Sequence, residues 1–516
     1  MTDVRTMYEW FAAGAAGHPD AVALEVGGTS YTFAELDHVA GGLAADILAA
    51  ADAPRAVGLH ANRSLTAYAG YLAIQRIGAA VVPLHPAWPR ARTEAVIAAA
   101  GIPVVLTDAA PEVSATVVRH DPAAEPSAAA EPRKADADDT AYVLFTSGST
   151  GAPKGVPVTH RSVDAFLRHV IARYEMGPGC RVSQTFDLAF DLSVFDLFAT
   201  WGSASTLVVP SRGELLAPAR FVDRSGITHW FSVPSVISLS GRLGRLAPGA
   251  MPGLRWSLFC GEALTVDQAA AWQAAAPGSV LENLYGPTEL TLSITQFRLP
   301  PDVTKWPKPA NGTVPIGEVY PGHEAILVGP DGRAGDFGEL CVRGPQRFAG
   351  YLDAANNTDR FIEFDGTVGV PCGERAEVAA ELWYRTGDLV QRGADGFVHL
   401  GRIDHQVKVQ GYRVELGEIE AALRTLAPVA EAVVVMTRPA GRPQLEAVYT
   451  GTRAEAQELD AGVRAVLPPH MIPRAYTWVE RLPLNLNGKV DRAEIAKTLQ
   501  RGHERPASGP AEHETE

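Results

Sequence analysis

Two rhythms of apolar residues divide this chain into elements. Residues 33–50 space Leu36, Val39, Leu43 and Ile47 as one helical face, and residues 65–77 read as a helix rich in Ala and Tyr. Residues 6–13 read as a short helix. Apolar runs of strand type lie between: 21–26 and 30–33, a hairpin about Gly27-Gly28, then 57–60 and 78–86. This alternation predicts βαβ units and a largely parallel sheet. Further on, Val163, Phe166, Leu167, Val170, Ile171 and Tyr174 share one helical face, and strand-like runs follow at 205–209, 229–233, 258–262 and 281–289.

From 314 to 400 the pattern changes to short β runs with Asp331-Gly332 and Asp395-Gly396 turns, a β-rich subdomain. Beyond Gly401-Arg-Ile-Asp404 it changes again, to a small α+β unit. A helix at 416–426, strands at 432–436 and 445–449, a second helix and a strand at 476–479 are expected there, and Asp491-Arg-Ala-Glu494 opens a last helix with a capping box. Residues 121–139 hold Ala, Pro, Glu and Asp without a period, which reads as a solvated linker or exposed loop. Residues 501–516 are polar and aperiodic and are expected to be disordered. The predicted organisation is an α/β core over 1–403, a C-terminal α+β domain over 404–500 and a tail over 501–516.

Composition narrows the function classes. A chain of 516 residues exceeds one ordinary domain, and a net charge of −14 argues against general nucleic-acid binding. The four cysteines, Cys180, Cys260, Cys341 and Cys372, have neither metal-ligand nor disulfide-framework spacing. No apolar core follows residues 1–5 and no run of 18 apolar residues occurs, so neither a secretory signal nor a membrane span is expected; the expected compartment is the cytoplasm.

The chemistry is concentrated first in Tyr142-Val-Leu-Phe-Thr-Ser-Gly-Ser-Thr-Gly-Ala-Pro-Lys-Gly-Val-Pro-Val-Thr159. A buried strand runs into a loop where Gly148, Gly151 and Gly155 free backbone N–H groups to face one anion. Thr146, Ser147, Ser149 and Thr150 add hydroxyl donors and Lys154 a point charge. It is not a Walker loop, because no Gly-Lys-Ser/Thr occurs and an extended Val-Pro-Val follows. The stretch resembles the signature loop of the adenylate-forming enzymes: acyl-CoA synthetases, luciferases and the amino-acid adenylation domains of nonribosomal peptide synthesis. Later motifs extend the likeness from about residue 31 to about residue 492.

The resemblance implies roles for those motifs. In Leu281-Glu-Asn-Leu-Tyr-Gly-Pro-Thr-Glu289 the Tyr285 ring would stack on adenine, Asn283 would bond its amino group and Glu289 would hold Mg²⁺. Gly286, Thr288, Gly261 and Glu262 would complete the nucleotide site. Asp388 of Tyr384-Arg-Thr-Gly-Asp would accept from both ribose hydroxyls, with Arg402 reaching the same sugar. Asp404 would be the pivot of a mobile C-terminal domain. Lys489 of Asn-Gly-Lys would be the catalytic lysine bridging carboxylate and α-phosphate, beside catalytic roles for Thr146 and Lys154.

Phe186-Asp-Leu-Ala-Phe-Asp191-Leu-Ser-Val-Phe195 resembles the segment in which amino-acid adenylases hold the substrate ammonium, here by Asp191. Motif by motif, the side-chain pocket falls to Leu192, Phe195, Ser232, Leu258, Cys260, Leu284, Leu292 and Ser293, a set without charge. The implied substrate is a small neutral amino acid, L-alanine first. Cys260, a residue that also suits a core, leaves D-alanine open through a likeness to ligases that load D-alanine on carrier proteins. Neither a condensation motif (His-His-x-x-x-Asp-Gly) nor a phosphopantetheine site (Gly-Gly-x-Ser) occurs, so the expectation is a stand-alone adenylase with ATP and Mg²⁺ and a separate carrier protein as partner. It is similar to discrete adenylases of macrolactam antibiotic pathways. Two alternatives are an acyl- or aryl-CoA synthetase, disfavoured by Asp191, and a nucleotide-binding regulator, disfavoured by Lys489, Glu289 and Asp388 together.

Overall fold

The computed structural model describes residues 4–147, 153–373, 378–404, 406–484 and 490–504. Ser149, Thr150 and Lys489 therefore lie outside the described residues, as does the tail from 505 onward. The described residues divide into two units. One is Met1–Pro86, Thr93–Phe145 and Lys154–Asp404; the other is Ala87–Arg92, Thr146–Pro153 and His405–Glu516.

The alternating pattern of the first unit resolves into two mainly parallel sheets. The larger runs in the order Glu318–Val319, Thr295–Arg298, Val280–Tyr285, Trp256–Phe259, His229–Ser232, Arg181–Ser183, Thr206–Val208, Val22–Val26 and Thr29–Thr32. The second runs Thr116–Arg119, Val104–Thr107, Ala56–His60, Ala80–Pro83, Thr140–Thr146 and Lys154–Thr159. Their central strands are buried on both faces, as a parallel sheet covered by helices requires. The 33–50 periodicity becomes the helix Phe33–Ala50, fixed at its start by reciprocal Thr32 and Glu35 bonds. The first helix, Met7–Gly17, carries the same device in Thr6 and Glu9 and runs longer than its pattern suggested.

Residues 121–139 contain neither helix nor strand, yet they are not a loose linker. The Ala130 amide donates to Gly41 O at 3.0 Å and Arg76 Nε donates to Ala130 O at 2.7 Å. A methyl group on Gly41 would sit 2.6 Å from the Ala129 Cβ, so the helix is bare there to let the segment lie against it.

Glu282, fully buried in the strand Val280–Tyr285, sets the larger sheet's framework. It accepts from Arg173 Nε at 2.6 Å, Arg173 Nη2 at 2.9 Å, Tyr174 Oη at 3.0 Å and, across the strand pair, Arg298 Nε at 3.0 Å. A carboxylate there would cost several kcal/mol unpaired; four charge-assisted or hydroxyl bonds offset that cost and pin the strand register.

The stretch 314–400 forms the expected β-rich sheet, built on the strands Glu324–Val328, Phe337–Arg343 and Trp383–Gly393, with Gly396–Arg402 paired to the last. In the second unit the helix Leu416–Arg424 packs on a sheet of Val429–Thr437, Gln444–Gly451 and Ala475–Trp478. Arg492 Nη2 bonds Glu420 Oε2 at 2.8 Å, and Glu420 Oε1 accepts from Val434 N at 2.8 Å, tying the last helix to that sheet. That helix, Arg492–Glu504, carries on into the stretch read from sequence as tail.

Candidate active site

The strand Val280–Tyr285 presents alternate residues to opposite faces of the larger sheet. Asn283 points to the face that also holds Leu281 and Val314, where its Nδ2 donates to Val314 O at 3.2 Å and Pro315 O at 3.0 Å. Its Oδ1 has no partner although the residue is only 2% exposed. A buried amide oxygen without a donor is costly, and an adenine amino group is a donor of the right kind. The nucleotide expected from the sequence fits this atom.

Tyr285 ends the strand, and its hydroxyl donates to Asp388 Oδ2 at 2.7 Å. The other carboxylate oxygen, Oδ1, faces His399 Nε2 at 2.9 Å and Arg402 Nη1 at 3.1 Å. Arg402 in turn holds Asp404 by two bonds of 2.7 Å, from Nε and Nη2. Burial, and then the neighbouring Asp388 charge, pushes the Tyr285 phenol well above its ordinary range, so it stays a donor. The turn before Asp388 leaves no freedom: Gly387 has φ +76°, and a Cβ there would stand 2.5 Å from Arg402 Nη2. Its amide donates to Glu339 Oε1 at 2.9 Å, and Glu339 is clamped by Arg385 through Nε at 2.8 Å and Nη2 at 2.6 Å. His399 is a site residue that motif reading missed. A bulge between Leu389 and Val390 shifts the pairing across the Asp395-Gly396 turn, so counting along the hairpin does not reveal it.

On the phosphate side the strand Thr140–Thr146 delivers Thr146 to the head of the loop. Ser147 departs from expectation. Its hydroxyl donates to Arg413 O at 3.0 Å and accepts from Glu415 N at 3.0 Å, so both its roles are taken by the strand Tyr412–Glu415 rather than offered to an anion. Lys154 is buried, with Nζ 5.9 Å from the centre of the Tyr351 ring, and the Tyr351 hydroxyl donates to Glu289 Oε1 at 2.6 Å. One carboxylate completed by phosphate oxygens is a donor set that Mg²⁺ accepts, and Glu289 supplies such a carboxylate. Gly261, at φ +91°, follows the strand Trp256–Phe259, and Glu262 Oε2 accepts from Ser235 N at 2.9 Å at the start of the helix Ser235–Arg242.

Beyond Tyr285 the chain folds tightly back. A Cβ on Gly286 would meet Ser293 Cα at 2.6 Å and Leu292 O at 2.8 Å, and Thr291 and Leu292 take the left-handed φ values of +55° and +78°. Thr288 begins the short turn Thr288–Leu290 that carries Glu289. This strained return places Leu292 and Ser293 beside the strand end.

Asp191 is 7% exposed and its carbonyl accepts from Val194 N at 2.9 Å, opening the turn Leu192–Val194 that passes into a wider π-type turn, Phe195–Ala199. The neighbouring aspartates have other work. Burial keeps Asp196 well above the usual carboxylate range while it accepts from Thr185 N at 2.9 Å and Phe186 N at 3.3 Å. Burial would also raise Asp187, but its bond to His85 Nε2, at 2.8 Å, brings it below the ordinary value.

All eight side chains expected in the pocket, Leu192, Phe195, Ser232, Leu258, Cys260, Leu284, Leu292 and Ser293, are buried in the first unit, and the apolar ones among them belong to one core cluster. Ser232 faces away from the others. Its Oγ accepts from Trp230 Nε1 at 2.9 Å, on the face opposite to Leu258 and Cys260. Parallel pairing sets Phe231 beside Leu258, and the Phe231 ring packs against Phe195 with centroids 4.9 Å apart at 73°. Successive residues of a strand point to opposite faces, so Phe231 rather than Ser232 shares the face of Leu258 and Cys260.

Residues 11–352 match the family model described as AMP-binding enzyme, and residues 418–489 match the AMP-binding enzyme C-terminal domain. The chain is 36% identical over 508 residues to the probable non-canonical nonribosomal peptide synthetase CymA of Salinispora arenicola, covering 93% of this chain and 6% of that protein. It spans less than half the length of the curated relatives it matches. Among solved structures it resembles IdnL7, at 38% identity and TM-score 0.70, covering 97% of this chain and 100% of the other. It also resembles the Vibrio cholerae adenylation domain AlmE, solved in complex with glycyl-adenosine-5'-phosphate, at 27% identity and TM-score 0.81, covering 97% of this chain and 98% of that one. Among the described residues no helix is long and apolar enough to cross a membrane.

Proposed function

The chain belongs to the AMP-binding enzymes, and from that premise we propose that it is an ATP-dependent, AMP-forming ligase that activates a small neutral amino acid, L-alanine by preference, and passes it to a separate carrier protein. The observation that carries the reading is the buried Asn283 Oδ1 without a donor, on the same strand as Leu284 of the uncharged set. One face of that strand suits a nucleotide base and the other a small apolar side chain.

In the reaction the amino acid's carboxylate oxygen bonds the α-phosphorus of ATP, and the bond from that phosphorus to pyrophosphate breaks. Asn283 fixes the base by accepting from its amino group, and Asp388 turns from Tyr285, His399 and Arg402 toward the ribose hydroxyls. Lys154 and Thr146 hold the departing pyrophosphate, and Lys489 offsets the charge that builds between carboxylate and α-phosphate. Mg²⁺ at Glu289 would neutralise phosphate charge. Asp191 meets the substrate ammonium, a charge-assisted contact that a fatty or aryl acid does not offer. In the second half-reaction a carrier thiol, or an amine borne on the carrier, attacks the aminoacyl carbonyl and AMP leaves. Support for a carrier partner comes from the nonribosomal synthetase relatives and from adenylation–carrier didomain structures at about the same fold similarity.

No charged residue stands among Leu192, Phe195, Phe231, Leu258, Cys260, Leu284, Leu292 and Ser293, so lysine or aspartate would bury an unpaired charge at a cost of several kcal/mol. The Phe195–Phe231 pair penalises aromatic substrates by overpacking. Glycine loses about 1 kcal/mol for one methyl and stays a substrate. Cys260 favours D-alanine as the second reading. The test is amino-acid-dependent pyrophosphate exchange with the twenty amino acids and D-alanine. L-Alanine leading, with glycine within about tenfold, supports the proposal; preference for an aromatic, charged or non-amino acid overturns it.

A further inference from the structure

Motif counting reaches Ser293 and Leu284 but not what stands behind them. Tyr320 is 1% exposed, and its hydroxyl lies 2.6 Å from Ser293 Oγ. Its amide donates to Ile294 O at 2.9 Å, so the backbone as well as the side chain is seated against the return from Gly286. The ring lies on His169, with centroids 4.3 Å apart. His169 Nε2 is 2.9 Å from Gln296 Oε1, and Gln296 is the cross-strand neighbour of Leu284 on the antiparallel pair. Ser293, Tyr320, His169 and Gln296 therefore form one connected wall that returns to Leu284 on the face carrying Leu258 and Cys260.

Three features separate this wall from ordinary core. Its polar atoms are paired with one another, so it is a fixed object rather than an adaptable surface. A buried ring that lies on His169 and is tied at its hydroxyl to Ser293 has little room to swing aside for a longer side chain. Burial, and after it the charge of the Glu282 carboxylate, holds the Tyr320 phenol above its ordinary range, so its hydroxyl stays protonated beside Ser293. The ring thus reaches from the far side toward the same cluster that the motifs assign to the amino-acid side chain.

We propose that Tyr320, held by Ser293 and braced by His169, is a specificity-determining residue that closes the far end of the side-chain compartment and sets its upper size limit. The inference rests on the amino-acid reading above. Tyr320 limits length beyond Cβ, whereas Asp191 serves the backbone ammonium common to all amino acids; a change at 320 therefore reorders substrates without altering the use of ATP.

The experiment compares wild type with Tyr320→Leu and Tyr320→Ala in pyrophosphate exchange over glycine, alanine, serine, valine, leucine, methionine and phenylalanine, with the KM for ATP measured in parallel. Relative to alanine, kcat/KM for leucine and methionine should rise at least tenfold in Tyr320→Leu and further in Tyr320→Ala, with the ATP KM within twofold of wild type. Tyr320→Phe, which keeps the ring, should retain the wild-type ranking. An unchanged ranking in Tyr320→Leu overturns the inference, as does a parallel fall for every amino acid, which is what a purely structural role predicts. Should Tyr320→Ala not fold, Tyr320→Leu and His169→Ala, which removes the ring under Tyr320 together with its bond to Gln296, decide the matter by the same readout. The wild-type panel alone tests the substrate reading; the difference between variant and wild type tests this one.

Discussion

The Tyr285 hydroxyl donates to Asp388 Oδ2 at 2.7 Å, joining two motifs that stand 103 residues apart in the chain. The tyrosine ends a strand of the large sheet and the aspartate sits in the β-rich sheet, so this one bond holds the two sheets' ends in a single frame. Asp388 also gathers His399 and Arg402, and the carboxylate is the common acceptor of all three.

Asp388→Ala removes that acceptor. The KM for ATP should rise about 10- to 100-fold, since hydrogen bonds to a charged group are worth about 1.5–3 kcal/mol. The ranking of amino acids should stay as in wild type. Steady-state exchange kinetics at varied ATP check this, and altered amino-acid preference with unchanged ATP dependence would refute the ribose role.

The reversal of Ser232 and Phe231 makes a paired prediction. Ser232→Ala should leave the substrate ranking within about twofold, because its hydroxyl serves Trp230 on the other face. Phe231→Leu should improve valine and leucine relative to alanine by about tenfold, or about 1.4 kcal/mol, by thinning the ring packed on Phe195. The same exchange panel on both variants separates them, and equal effects would contradict the assignment of faces.

Lys489→Ala should lower amino-acid-dependent exchange by about 10²–10³-fold, the usual loss when one charge-stabilising group is removed. The thermal midpoint should not move by more than about 2 °C if the lysine has little packing role. Exchange at the wild-type rate would take Lys489 out of the mechanism.

Two buried histidines predict the response to acid. Burial depresses both His160 and His229 to about 4. His160 Nδ1 accepts from Met7 N at 3.2 Å, and His229 Nε2 donates to Tyr174 O at 2.8 Å, leaving Nδ1 to accept from the Thr228 hydroxyl. The unfolded chain, with histidine near 6.5, binds protons that the folded chain refuses. Stability is therefore full above about pH 6.5 and falls as pH drops toward 4, by up to about 1.4 kcal/mol per pH unit for each histidine. Urea midpoints at pH 7, 6 and 5 check the sign, and His160→Asn should flatten part of the slope. Midpoints independent of pH in that window would contradict it.

Much of the fold was legible because its elements are long and periodic. The helix Phe33–Ala50 announces itself by both its apolar spacing and its Thr-x-x-Glu start. The helix Arg90–Ala100 does not, since Val96 and Ile97 are its only large apolar residues and they are adjacent. The motifs brought out Asp388, Asn283 and Tyr285, and the structure draws Tyr285 and Asp388 together. The partners of Ser147 were not legible because they lie 266 and 268 residues away, on a strand that no local pattern links to it. The face that Ser232 takes was not legible either, because in a strand of period two a single position decides it. Tyr320 and His399 carry no motif at all; their places follow from cross-strand packing and a bulged hairpin, which are three-dimensional facts.

The two-sided strand Val280–Tyr285 has a consequence for how such a protein diversifies. Even-numbered positions, Glu282 and Leu284, share one side, and Asn283 belongs to the other. On the proposed reading, a larger or smaller residue at 284 leaves the face of Asn283, and with it the base, undisturbed. The ionic anchor at Glu282, secured by arginines from two other elements, keeps the strand from shifting when its neighbour changes size. Novelty in what is activated and constancy in how it is activated are thus separated by the thickness of one backbone.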